Sequence, residues 1–358
     1  MTSNSSSLPR AKLFINGVEL IYLDIKISSV NAAISDTLTT SIPLYAYSFD
    51  YLDKFFNSTD ENIVEVQIDE IGNQQFKRVF YGILDDYRES LDGGRVFLSG
   101  RDFSAKLIDN KTTIKFVELS SSQVAETLAK ANGLKSVVTE TTNPIGIYYD
   151  NQHVDLLIQR SQWDILSALA QQEGFDLYVK DDTLYFVDKE KVSHPSYDIN
   201  VIAPAVKYQV AQVPNVITLD IARSFTLAKK IIVTVKSYNQ LDDKTYIGVA
   251  TREHITGKSS QAVQRYTIYP PNLTKEQATR LANATLQQIT KREVVLDARV
   301  VGSTLLQKDT IVNLKGRSKT FDGKYYIDSL THEMVFNTGF TTSFTAKNHS
   351  TLSTKVLL

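Results

Sequence analysis

The chain contains no cysteine, which removes disulfides, thiolate metal sites and cysteine nucleophiles and leaves the compartment open. Nor does it carry a surplus of charge. The 39 Lys plus Arg stand against 40 Asp plus Glu, a formal charge of −1, too balanced for a general nucleic-acid binder or a polybasic membrane-surface protein. No run approaches the ~18 apolar residues of a membrane span, and the opening MTSNSSSLPRAKL lacks the apolar stretch of a signal peptide. Synthesis in the cytoplasm, without a membrane anchor, is the expectation. The serine-rich start reads as a flexible tail over 1–10.

Signatures of catalysis are missing as well. The five histidines, His153, His194, His254, His332 and His349, show no i, i+4 pair around a glutamate, so each reads as a surface or strand-packing residue and not as a metal ligand. Gly316-Arg317-Ser318-Lys319-Thr320 with Gly323-Lys324 fails the spacing of a phosphate-binding loop and leads into a strand. No G-x-S-x-G elbow occurs. The paired carboxylates Asp85-Asp86, Asp181-Asp182 and Asp242-Asp243 bring to mind a glycosidase's acid and base. Adjacent residues on a strand or turn point apart, however, and solvated turn acids account for these pairs. The expectation is no catalytic residue, no metal and no cofactor.

What the chain does have is alternation. With 358 residues, 42% of them hydrophobic, it exceeds a single core, and two or three domains are expected. Asn16-Gly17 between Leu13-Phe14-Ile15 and Val18-Glu19-Leu20 predicts a hairpin. Leu23, Ile25 and Ile27 alternate with polar neighbours, as do Val64, Val66 and Ile68, and Lys77 to Glu89 and Arg95 to Arg101 form a long hairpin through Asp92-Gly93-Gly94. Strands spaced this regularly imply a sandwich or barrel over 11–110. Helical spacing then marks an α+β insert over 111–196, where Ser120 to Asn132 presents Val124, Leu128 and Ala129 on one face before Gly133. Prolines in His194-Pro195, Ala203-Pro204 and Val213-Pro214 read as an extended linker.

Strands resume at Val216 in a second β domain over 197–350. They run through Ile231 to Val235, Thr245 to Thr251, Arg265 to Tyr269 and four later segments, interrupted by a helix over 274–291 that starts at the capping box Thr274-x-x-Gln277. Residues 351–358 read as a C-terminal tail. Phe80 to Leu98 and Tyr325 to Phe344, with Asn337-Thr338-Gly339 in the place of Asp92-Gly93-Gly94, share a hairpin-like pattern. Two related barrels would leave such a trace.

The most informative run is Gln159 to Asp188. Ser161 and Asp164 have capping-box spacing, Trp163, Leu166, Leu169 and Ala170 make one apolar stripe, and Gly174 sits where a left-handed residue stops a helix. Phe175, Leu177 and Val179 then alternate, and Asp181-Asp182 turn the chain into Leu184 to Val187. Trp163, the single tryptophan, reads as the anchor of a helix lying on a hairpin.

The order Gln159, Ser161-x-Trp163-Asp164-x-Leu166, Leu169-Ala170, Glu173-Gly174 resembles the insert of phage tail baseplate hub proteins, the family of the late control D proteins and of the N-terminal part of type VI secretion spike proteins. Phe80-x-Gly82-x-Leu84 leading to Gly100-x-Asp102 is similar to the end of that family's first barrel. Leu306 to Gly316 is similar to its "L-x-x-G-D-x-V-x-L-x-G" passage, with the first glycine replaced. Tyr325-Tyr326-Ile327-x-Ser329-Leu330-x-His332 is similar to its last hairpin.

The resemblance implies a mainly β fold with an α+β insert: two tail-tube-like antiparallel β-barrel domains plus a small helix-hairpin domain. It implies a structural, non-enzymatic hub in the virion baseplate, a homotrimer forming a pseudo-sixfold ring that joins a hexameric tail tube to a trimeric central spike. Its partners would be the spike, the tail tube protein or tube initiator, the baseplate wedge proteins and the tape measure protein, with no specific nucleic acid. The chain ends at Leu358 without the spike or lysozyme-like extension of some relatives, so a separate spike is expected. Structural or interface candidates are Trp163, Leu166, Leu169, Gly82, Gly100, Asp102, Tyr326 and His332. The competing readings are a tail-associated cell-wall hydrolase and a receptor- or carbohydrate-binding tail protein.

Overall fold

Asn16 and Gly17 take positive φ, 50° and 79°, as a two-residue hairpin turn requires, and fold β1 (Arg10–Ile15) onto β2 (Val18–Leu20). The computed structural model describes residues 8–30, 34–57, 61–112, 116, 119–142, 160–188, 193–202, 212–225, 230–240, 242–252, 263–290, 293–336 and 339–348. His153, His254, His349, Gln159, Asn337, Thr338, the middle of the expected linker and the C-terminal tail lie outside them.

The first half continues with β3 (Asp24–Val30), β4 (Thr37–Pro43), helix α1 (Phe49–Phe56), β5 (Ile63–Asp69), β6 (Lys77–Ser90) and β7 (Arg95–Asp102). Period-two alternation sends Leu13, Ile15, Ile25, Ile27, Leu38 and Val64 into one core. Each such buried aliphatic side chain contributes about 1.5–3 kcal/mol. The aromatic run FDYLDKFF gave no helical expectation, since such residues favour strands. It nonetheless forms α1, because Ser48 caps it by accepting from the Tyr51 N–H at 3.2 Å, Leu52 is buried, and Tyr47, Tyr51 and Phe55 stack at four-residue spacing.

Next come α2 (Ser104–Asp109), β8 (Lys111–Thr112), α3 (Ser121–Ala131), β9 (Lys135–Val138), β10 (Arg160–Ser161), α4 (Gln162–Glu173), β11 (Asp176–Lys180) and β12 (Thr183–Val187). The capping box of Ser161 and Asp164 is formed, and Gly174 ends α4 at φ 75°. Trp163, Leu166 and Leu169 pack with Val124, Leu128, Leu177 and Phe186 in a second core. The helix-hairpin unit read from the sequence is present, and β9 adds to it in parallel beside β12.

The remaining strands are β13 (Ser196–Asn200), β14 (Val216–Arg223), β15 (Lys230–Asn239), β16 (Lys244–Arg252), β17 (Val263–Ile268), β18 (Val294–Val301), β19 (Ile311–Lys315), β20 (Gly323–Val335) and β21 (Gly339–Asn348), with α5 (Lys275–Thr290) between β17 and β18. β13 falls in the stretch read as linker. It pairs in parallel with β19, and the Pro195 carbonyl accepts from the Ile311 N–H at 2.8 Å, so the proline stands at a strand entrance and blocks no ladder bond. β15, β16 and β17 do not extend the large sheet. They form a three-stranded sheet of their own, whose Ile231, Val233 and Val235 are covered by Ala278, Ala282 and Leu286 of α5. The Thr274 and Gln277 box caps that helix as expected.

The two halves share one 13-stranded sheet with the main path β14-β18-β21-β20-β3-β4-β7-β6-β5-β1-β2. The fold is mainly β with an α+β insert, and its two tube-like halves keep separate cores beneath the common sheet.

Candidate functional site

The loop between β18 and β19 reaches across to the first half of the chain and to the helix-hairpin unit. Its Lys308 Nζ lies 2.9 Å from Asp36 and 3.8 Å from Asp102, and 5.3 Å from the Tyr178 ring centroid. Asp102 accepts from the Asp36 N–H at 3.2 Å and the Ser104 N–H at 3.0 Å, and from the Ser104 hydroxyl. Burial pushes the Asp102 carboxyl up to about 6, with Lys308 pulling it down and Asp36 pushing it up. Nearby, Lys180 meets Asp309 at 3.3 Å, and His194 Nδ1 donates to the Asp309 carbonyl at 2.9 Å.

His332 faces the same place from β20. Its Nε2 lies 3.0 Å from the Leu306 carbonyl, which can only accept, so Nε2 carries the proton and Nδ1 accepts from the Thr342 hydroxyl at 2.9 Å. Burial lowers this imidazole to about 4, and the ring is neutral at pH 7. The cavity among Asp36, Asp102, Lys308, Asp309 and His332 measures about 70 Å³, far below the ~300–1,000 Å³ of a ligand pocket. Among the described residues no three His, Asp or Glu side chains converge on a metal position. The chemistry of this cluster is cohesion: it ties three parts of the chain together.

Of the eight residues singled out in the sequence, the structure brings Asp102 and His332 to this joint. Gly82 and Gly100 lie beside it in the β6–β7 pair, where a Cβ on either would strike the opposite strand's backbone carbonyl, Arg101 or Ile83. Tyr326 is half-buried on β20 opposite Lys347 and Ile311. Trp163, Leu166 and Leu169 stay in the helix-hairpin core. Sequence reasoning passed over Asp36 and Lys308, which meet only in the folded chain. It also passed over Glu293, which is 1% exposed and held between Arg223, 3.0 Å away, and Arg252. That triad fastens the small α5 sheet to β14 and β18.

A second feature is a surface. From β14 to β6 eight strands follow one another in antiparallel pairing. Residues opposite each other share a face, and one cross-sheet row reads Thr218, Arg299, Ser343, Thr331, Ser28, Thr37, Arg101. This face is polar across these seven strands, the row ending at Ile83 of β6, while the other is the core. Because eight is even, β14 and β6 run in opposite directions. Among the described residues β14 pairs only with β18, and β6 beyond Leu84 pairs only with β7, so both ends of the run keep an open edge.

A family model described as the Alg8 N-terminal domain matches residues 62–335. The chain belongs to the Alg8 N-terminal domain family. No curated protein matches it in sequence. Among solved structures it is similar to a tail protein of Neisseria meningitidis at 15% identity, covering 96% of this chain and 97% of that one with a TM-score of 0.66. The 43 kDa tail protein of prophage MuSo2 from Shewanella oneidensis matches at 18% identity over 94% and 98%, with a TM-score of 0.67. An Escherichia coli protein, described as a type VI secretion component structurally similar to the T4 tail proteins gp27 and gp5, matches at 10% identity over 94% and 76%, TM-score 0.54. At these identities the likeness is one of fold. The fold expected from the resemblance, that of tail hub and spike-related proteins, is the fold observed.

Proposed function

We propose that this member of the family is the structural hub of a phage or phage-tail-like baseplate, three copies of which close a ring that joins the tail tube to a central spike. The observation that carries the reading is the eight-strand run with its polar face and two open edges of opposite direction. An exposed strand edge invites pairing. Rotation about a ring axis preserves strand direction, so the β14 edge of one copy meets the β6 edge of the next in the antiparallel sense that the sheet already uses. Each half supplies four strands to this run, β3, β4, β7 and β6 from the first and β14, β18, β21 and β20 from the second, which favours a pseudo-sixfold wall from three chains. The helix-hairpin unit and the α5 sheet stand off the shared sheet and offer surfaces for tube, spike or wedge partners. The small polar joint, whose cavity measures about 70 Å³, favours assembly over catalysis.

Light scattering on the purified chain, alone and with spike and tube proteins, tests this. A mass of three copies and ring-shaped particles in negative-stain images are expected. A stable monomer in the presence of those partners overturns it.

A further inference from the structure

The two halves repeat each other at the level of single residues, and the repeat specifies how two copies would join. β6 and β7 carry a bulge between Leu84 and Asp86, and β20 and β21 carry one between Ile327 and Ser329. The residue inside each bulge is an aspartate bonded to a cation on the partner strand: Asp85 to Arg101 at 2.8 Å, and Asp328 to Lys347. Aligning the bulges makes Asp86 equivalent to Ser329, Arg88 to Thr331 and Ser90 to Glu333. The neighbouring ladders then superpose without a further shift, Thr39 on Asp297 and Lys26 on Asp220.

In this scheme β20 stands where β6 stands, and β3 where β14 stands. Yet β20 is paired on its outer edge, to β3, with Thr331 opposite Ser28 and Glu333 opposite Lys26, whereas among the described residues the distal half of β6 and all of β14 have open edges. The in-chain β20–β3 junction is therefore the template for a junction that one copy cannot make alone. We propose that β14 of one copy adds to the distal half of β6 of a second copy in antiparallel register, with Ala222 opposite Arg88 and Asp220 opposite Ser90. This rests on the ring reading and deepens it by naming the joining strands and their register.

Three observations fit that occupant. The exposed Leu91, 58% accessible, comes opposite Leu219 of the second copy, as Met334 lies opposite Ile25 within the chain. Asp220 lies directly across from Asp297, a like-charge pair that disfavours a lone edge strand. Arg88, 4.4 Å over Phe97, would sit one diagonal step from that aspartate, within reach of a long side chain, much as Lys26 meets Glu333 at 3.6 Å.

The absence of native cysteine makes a thiol test clean. The full-length chain carrying R88C and A222C should form covalent multimers on mild oxidation. R88C with I221C, whose side chains point to opposite faces, should form at least tenfold fewer. In parallel, R88E alone should weaken association at least tenfold and R88E with D220R should restore it. A multimeric protein, by light scattering, in which the first pair fails to cross-link, or the slipped pair cross-links better, overturns the register while leaving the ring reading standing. A monomer under all conditions overturns both.

Discussion

Lys308 Nζ lies 2.9 Å from the Asp36 carboxylate although 272 positions separate the two residues. The lysine reaches from the loop after β18 into the first half of the chain, and its ammonium is the cation shared by Asp36 and Asp102. Replacing it with an apolar residue of similar length leaves two carboxylates in a buried place without their counter-charge. K308M is expected to cost about 3 kcal/mol, read as a lowered urea midpoint. The same variant should raise the Asp102 carboxyl further, seen as titration above pH 6 by carboxylate-selective NMR.

Asp102 and His332 should drive the pH dependence of stability in opposite directions. The Asp102 carboxyl is raised to about 6 in the fold, from about 4 unfolded. Its contribution is thus present below pH 4 and is lost as pH rises through 6. The His332 imidazole is lowered to about 4, so its contribution is present above about pH 6.5 and is lost as pH falls toward 4. Each amounts to about 3 kcal/mol, and the two nearly cancel between pH 4 and 6.5. Relative to the parent, D102N should lose stability as pH is lowered across that window and H332Q should gain it. Urea midpoints at four pH values check the signs.

Trp163 is the single tryptophan and is buried between α4 and its hairpin, so its emission reports that unit alone. W163A should cost about 3–5 kcal/mol, seen as an earlier unfolding transition, while the oligomer's mass stays unchanged. If that mass falls to one copy, the helix-hairpin unit belongs to the ring contact.

A methyl group on Gly82 or Gly100 would drive into the opposite strand's backbone. G82A and G100A should each cost about 1–3 kcal/mol or more, and β6 amides should lose hydrogen-exchange protection before those of β20. Equal loss in both strands would contradict a local origin.

Much of the fold was legible because short-range rules decide it. The Asn16-Gly17 turn, the capping boxes of Ser161 and Thr274, and the Gly174 stop each rest on residues within a few positions of one another. What sequence could not supply depended on distant partners. Nothing near Ser196 announces a strand, because β13 exists by pairing with β19 more than a hundred residues on. α1 depends on ring stacking and a buried Leu52 that override strand propensity. β15 alternates like any other strand, and only α5 covering it sets it apart from the large sheet. For the joint, Asp102 and His332 were visible as motif members, but Lys308 and Asp36 become a pair only once the chain has folded back on itself.

β20 is one continuous strand of 13 residues that serves both halves. Its first part is laddered to β19 and its last seven residues, Ser329 to Val335, to β3, with β21 alongside both. The halves are therefore not beads on a hinge. To tilt one against the other, a row of backbone hydrogen bonds would have to shear together. A load on either half would be shared with the other through the backbone hydrogen bonds of this one strand.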